Sequence, residues 1–397
     1  MKKVFIIDYQ YNNDFMNGAE IAAGIIIVIL VIGIALLMSK PSTTSITTTS
    51  PSPAAISTSV TSTLTTTSTP TTTSTLTTTS TPTITTSTIQ YIYCVGTWGT
   101  SSSTQVYYAP VSSTGIGTWQ ATTSYPVAME DAGCSIYNGY IYCVSSGTSP
   151  LTQVYYAPVS STGIGTWQAT TSYPVAMEDA GCSIYNGYIY CVGSGSSSYT
   201  QVYYAPVSST GIGTWQATTS YPVPMYSAGC SIYNGYIYCV GTGGTSSSTQ
   251  VYYAPVSSTG IGAWKATTSY PVLMYGAGCS IYNGYIYCVG SGEAPCNQVY
   301  YAPVSSTGIG AWKATTSYPV AMYGAGCSIY NGYIYCVGTG GTSSLTQVYY
   351  APVSSTGIGT WQATTSYPVP MYLAYCEIPG SGGGFYGGGG PSTGPWG

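Results

Sequence analysis

Arginine and histidine are absent from this chain, and lysine occurs only five times in 397 residues. Neutralising phosphates takes clustered Lys and Arg, so the composition argues against nucleic acid as a partner. Beyond residue 40 the only basic residues are Lys265 and Lys313. Acids are also scarce: there are nine, so 4% of residues carry charge and the net charge is −4. Such a surface stays hydrated through hydroxyls and amides, and its folding is expected to depend weakly on pH, as at an acidic cell surface. Asn-x-Ser/Thr acceptors are missing too, so any glycans would be hydroxyl-linked.

What is present falls into five segments. After a short N-terminal segment, 1–18, a transmembrane signal anchor is expected over 19–39. Within it, residues 21–38 read IAAGIIIVILVIGIALLM, without a charge or a proline. As a helix this run spans about 27 Å, close to the apolar thickness of a bilayer. The apolar core of a cleaved signal peptide is usually shorter, so an uncleaved anchor is favoured. Lys2 and Lys3 precede the run and Lys40 follows it, which places the N-terminus in the cytoplasm only weakly by charge. The expected location is therefore a single pass through the cell membrane, with the rest of the chain outside. The step Gly18-Ala19-Glu20 resembles the leader of archaeal pilin-like proteins, although Asn17 stands where those carry a basic residue.

Segment 40–88 is a stalk: from Pro41 to Thr88, 40 of 48 residues are Ser, Thr or Pro. Such a composition cannot bury a core and stays extended. It resembles the mucin-like, O-glycosylated stalks of surface proteins. As polyproline II it would reach about 150 Å. At the other end, 379–397 is a Gly-rich tail.

Segment 89–378 repeats itself. Trp119, Trp167, Trp215, Trp264, Trp312 and Trp361 mark six copies, 48 or 49 residues apart. A repeat of this length fits propeller blades or helical pairs. Period-two alternation of Tyr, Val, Ile and Thr, punctuated by Gly and Pro, selects strands. In the first complete copy the expected strands are Gly133–Tyr137, Tyr140–Val144, Gln153–Val159 and Thr166–Thr170. Asn138-Gly139 joins the first two, supplying the positive φ at both positions of a type I′ turn. The unit resembles the kelch repeat, on IYCVG with its following glycines, on VYYAPV and on the Trp. That resemblance implies an all-β, six-bladed, kelch-like propeller of the galactose-oxidase type.

The ends of the repeat array point the same way. The first copy opens at Ile89-Gln90-Tyr91, in a second strand, and the last runs on through Tyr372–Ile378, which aligns with a first strand. Pairing of these terminal strands closes the ring with a shared blade and removes a sheet edge.

Register bears on the cysteines. With a two-residue turn Cys134 faces Cys143, on a non-hydrogen-bonded pair at the near edge of disulfide geometry. The same arithmetic pairs Cys182 with Cys191, Cys230 with Cys239, Cys279 with Cys288, and Cys327 with Cys336. Ring closure brings Cys94 to Cys376, leaving Cys296 over. Zinc ligands stand two to four residues apart and often include His, so no metal is expected. Buried free thiols are the alternative, favoured in a reducing compartment; an extracellular head favours disulfides.

Within the repeats one face hardly varies: its loops read Tyr-Asn-Gly-Tyr and SSTGIG throughout. Most of the variation falls in the second-to-third and fourth-to-first loops, on the other face, which makes that face the candidate functional surface. Its rim is expected to carry Glu130, Asp131, Glu178 and Asp179, then Tyr226, Tyr275, Tyr323 and Tyr372. Acids beside tyrosines could stack a sugar and accept its hydroxyls, or hold a hard cation; ordinary surface composition is the plainer reading. Trp98 and Cys296 are single-copy features of the same face.

Enzymatic readings find little support. Kelch-like copper oxidases need histidine ligands, and sialidases clamp a carboxylate with arginines. SSTGIGTW resembles the sialidase Asp-box, but Thr114 stands at the aspartate position. A glycoside hydrolase using Glu130 and Glu178 is a remote alternative. The expectation is a non-enzymatic protein without cofactor, anchored in the membrane by one N-terminal helix, whose propeller binds glycans or surface proteins. A wall or sheath component is the second reading.

Overall fold

In the computed structural model the described residues are 89–98, 104–128, 131–146, 152–176, 181–193, 200–224, 229–241, 249–273, 278–290, 297–321, 326–338, 346–370 and 373–380. The expected anchor and stalk, and all of the Gly-rich tail beyond Gly380, lie outside them. No helix among the described residues is long and apolar enough to cross a membrane.

These residues form a six-bladed β-propeller, each blade one antiparallel sheet. Blade 2 shows the pattern: inner strand Asp131–Tyr137, second strand Tyr140–Ser146, third strand Val154–Ser160, then short pieces Gly163–Ile164 and Gln168–Ala169 that both pair with the third. Blades 3 to 6 follow in chain order, with inner strands Gly181–Tyr185, Gly229–Tyr233, Gly278–Tyr282 and Gly326–Tyr330. Blade 1 is built from both ends of the repeat array. Its inner strand is Leu373–Glu377, its second Gln90–Trp98 and its third Val106–Ser112.

The inner hairpins have the register that the Asn-Gly turn dictates. Asn138 has φ 47° and Gly139 φ 77°, and the other four turns repeat these values closely. Tyr137 faces Tyr140, Ile136 faces Ile141 and Cys134 faces Cys143. The two cysteines are bonded, with Cα atoms 4.0 Å apart, and four further hairpins carry the same bridge. Cys94 is bonded to Cys376, 282 residues away, across the strand pair that closes blade 1.

The outer part of each blade is shorter than the expected Thr166–Thr170 strand. Only Gln168 and Ala169 pair there, with Tyr156 and Tyr155. One local bond sets where the outer pairing begins. The Gly165 N–H donates to the Pro158 carbonyl at 2.8 Å, folding the chain back on the third strand before the Trp. Pro158 itself, lacking an N–H, is tolerated because this outer position asks only its carbonyl to pair. Beyond Ala169, the Thr170 N–H still donates to the Val154 carbonyl at 2.9 Å, while the Thr170 and Thr171 hydroxyls reach across to the next blade.

That inter-blade clasp recurs around the whole ring. From blade 1 to blade 2, Ile164 N–H donates to Thr122 Oγ1 at 2.8 Å and Thr123 Oγ1 donates to the Ile164 carbonyl at 2.7 Å. Trp167 Nε1 donates to the Thr123 carbonyl at 3.1 Å. The same bonds close the circle from blade 6 back to blade 1, through Thr364, Thr365, Ile116 and Trp119. Gly163 permits this approach. Its φ is +108°, and a Cβ there would run into Thr122 Oγ1 and the Tyr108 ring.

Aromatic rings fill the wedges between blades. Tyr125 meets Trp167 edge-on at 4.8 Å and Tyr155 at 5.4 Å. Nearer the axis, Tyr142 stacks on Tyr156 at 6.1 Å and donates its hydroxyl to the Ser208 carbonyl, one blade on, at 2.8 Å. Large buried tyrosines with a bonded tip give both apolar area and orientation. The chain reaches this with almost no charge.

Candidate functional site

The first-to-second turns and third-to-outer loops share one face, and this face is one surface repeated. In each loop the Ser hydroxyl lies beside a Thr hydroxyl and accepts from its N–H, as Ser160 does from Thr162 at 3.3 Å. Both ends of the ring also lie here. The described chain begins at exposed Ile89, and Gln90 Nε2 donates to the Pro379 carbonyl at 3.1 Å, just before the described residues end at Gly380. This contact takes the place of the missing Asn-Gly turn of blade 1.

On the opposite face stand the ends of the second strands: Trp98, Ser146, Val192, Val240, Val289 and Val337. The variable second-to-third segments attach at these ends. Of the expected rim residues, Asp131 is placed as the first residue of the blade 2 inner strand, paired with Ser146. Trp98 pairs with Leu373 in blade 1. Glu130, Glu178, Asp179, Tyr226, Tyr275, Tyr323 and Tyr372 lie outside the described residues, as does Cys296. Among the described residues no group of three His, Cys, Asp or Glu side chains could hold a metal.

The inner strands contain a residue that the repeat pattern passes over. After each inner-strand cysteine stands a buried serine: Ser135, Ser183, Ser231, Ser280 and Ser328. In blade 1 that position is Glu377, and it too is buried, 4% exposed. Its Oε2 accepts from the Tyr375 hydroxyl at 2.6 Å and from the Ile136 N–H of blade 2 at 2.9 Å. Burial pushes its carboxyl up to about 8, although both hydrogen bonds pull the other way. Burial, then the neighbouring Glu377, drives the Tyr375 phenol well upward. Aligning Cys376-Glu377 with the five Cys-Ser pairs is the sequence signal that reveals this exception.

Elsewhere the titration pattern is plain. Burial pushes Tyr93 and Tyr142 up to about 12, and their second-strand counterparts higher still. These phenols are structural donors, silent as bases at ordinary pH.

No protein-family model and no curated protein matches this sequence. Among solved structures, one of YjhT aligns with a TM-score of 0.52 at 13% identity, over 62% of this chain and 87% of that one. That likeness shows the fold alone. Activity and ligand must come from the residues themselves.

Proposed function

We propose that the chain is a non-enzymatic surface-recognition protein, its kelch-like propeller carried outside the cell on an N-terminal anchor and a Ser/Thr stalk. One observation carries the reading: both ends of the ring leave from the invariant face, while the variable segments attach to the opposite one. The chain on either side of the ring therefore joins it away from the variable segments. Six buried disulfides suit an oxidising compartment. Varied loops on a near-invariant scaffold suit recognition better than catalysis.

The ligand class proposed is a neutral glycan or a surface protein, met by the acidic and tyrosine-rich segments that lead into the inner strands. The test is a binding screen of the full chain against glycans and surface proteins. Saturable binding that is lost in Glu130→Ala with Glu178→Ala supports the proposal. Ordered self-assembly without any ligand would favour the sheath reading, and sugar turnover abolished by the same changes would favour a hydrolase.

A further inference from the structure

We propose that Glu377 makes the ring seam a proton-operated latch, shut when its carboxyl is protonated and loosened when it is charged. The serine positions of the other blades show what the seam requires. Inner strands have no strand partner on their far edge, so their backbone groups there need side-chain partners. Ser231 Oγ donates to the Cys279 carbonyl of the next blade at 3.1 Å, and Ser280 Oγ to the Cys327 carbonyl at 2.8 Å. At the seam between blades 6 and 1 the same hydroxyl is used as an acceptor: Ile378 N–H donates to Ser328 Oγ at 3.2 Å. A carbonyl and the N–H two residues on point the same way from a strand, so a hydroxyl between them can donate to one and accept from the other.

Glu377 occupies this place between blades 1 and 2. It accepts from Ile136 N–H, and the Cys134 carbonyl is the counterpart of those of Cys279 and Cys327. A carboxylate only accepts, and has nothing to donate toward that carbonyl; a protonated carboxyl has both functions, as serine does. Losing the proton to solvent therefore leaves a buried charge facing an edge built for a donor. The Tyr375 hydroxyl and the Ile136 N–H donate to it, which falls short of the cost of burial, and no cation stands against it. The strands packed against it carry Asp131 and Tyr137 on blade 2, Tyr330 on blade 6, and Tyr91 and Tyr93 on blade 1, with no cation among them. Cys94, Cys134 and Cys327 are held in disulfides and do not titrate. Glu377 ends the terminal strand Leu373–Glu377, whose other edge pairs with Gln90–Trp98 to close blade 1, so loosening its contact with blade 2 releases the free edge of that closing strand before any hairpin.

The test is thermal unfolding of the full, oxidised chain between about pH 5 and about pH 9, for wild type, Glu377→Ser and Glu377→Gln. The wild-type midpoint is expected to fall as pH rises through this window, and both variants to flatten the slope. Equal slopes in all three would overturn the latch. A second readout needs no variant: the infrared band of a protonated carboxyl should persist in the wild type at neutral pH. Its absence, with every carboxyl ionised, would overturn the proposal as well. Under a phosphine reductant, Cys94–Cys376 should open faster relative to Cys230–Cys239 as pH rises; a constant ratio would contradict the latch.

Discussion

Removing the Cys94–Cys376 bond should cost the propeller more than removing any hairpin bridge, although all six bonds are buried alike. The reason lies in the unfolded chain. The closing bond spans 282 residues and a hairpin bond spans nine. Loop-closure entropy then assigns about 5–6 kcal/mol to the first and about 2.7 kcal/mol to the second. For a domain of this size each kcal/mol moves the midpoint by roughly 2 °C. Cys94→Ser with Cys376→Ser should therefore lower the thermal midpoint by about 10 °C, and Cys230→Ser with Cys239→Ser by about 5 °C. Calorimetry without reductant, on chains whose remaining pairs are verified by peptide mapping, measures both. Equal losses, or a larger loss from the hairpin pair, would refute the view that the closing bond acts by restraining the whole ring.

Four further outcomes follow from the packing. Gly211→Ala should destabilise the blade 2 to blade 3 contact by about 2–4 kcal/mol, because a Cβ there meets Thr170 and Tyr156 at a φ of +110°; urea unfolding reads this. Tyr221→Phe should be neutral or slightly stabilising, since its buried hydroxyl has no partner among the described residues, whereas Tyr238→Phe should cost about 1 kcal/mol by losing its bond to the Ser305 carbonyl. Asn234→Ala should cost about 1 kcal/mol at its φ of 48°, and Asn234→Gly should recover most of that. For Glu377 the folded carboxyl sits at about 8 against an ordinary 4.5. The folded state thus holds the proton, and stability is greatest below the ordinary value. It falls by up to about 1.4 kcal/mol per pH unit as pH rises toward 8, and levels off above, as denaturant titrations across pH would show.

Much of the inner architecture was legible because one local device sets it. Asn138-Gly139 fixes the turn, the turn fixes the register, and the register brings Cys134 to Cys143. The half-copies at Ile89 and Tyr372 then imply the shared blade. The outer edge was less legible. Thr166–Thr170 reads as a strand by composition, yet Thr170 and Thr171 spend their hydroxyls on Ile212 in the next blade. A bond to a residue one repeat away leaves no mark in local alternation. Glu377 was passed over for a related reason: it is one substitution in a strand otherwise like the rest, and its meaning depends on what the five serines do. The rim was readable only as a pattern of variation, since spacing along the chain does not say whether Glu130 and Glu178 converge.

Recognition by the variable face is tested most directly by making its loops alike. Replacing the six segments 99–103, 147–151, 194–199, 242–248, 291–296 and 339–345 with the single sequence GGTSSS leaves the described strands and disulfides untouched, and binding to a glycan and surface-protein array can then be compared with wild type. Binding present in the wild type and lost in this uniform ring is the predicted result. Equal binding by both, or ordered assembly of both with no ligand bound, would contradict it.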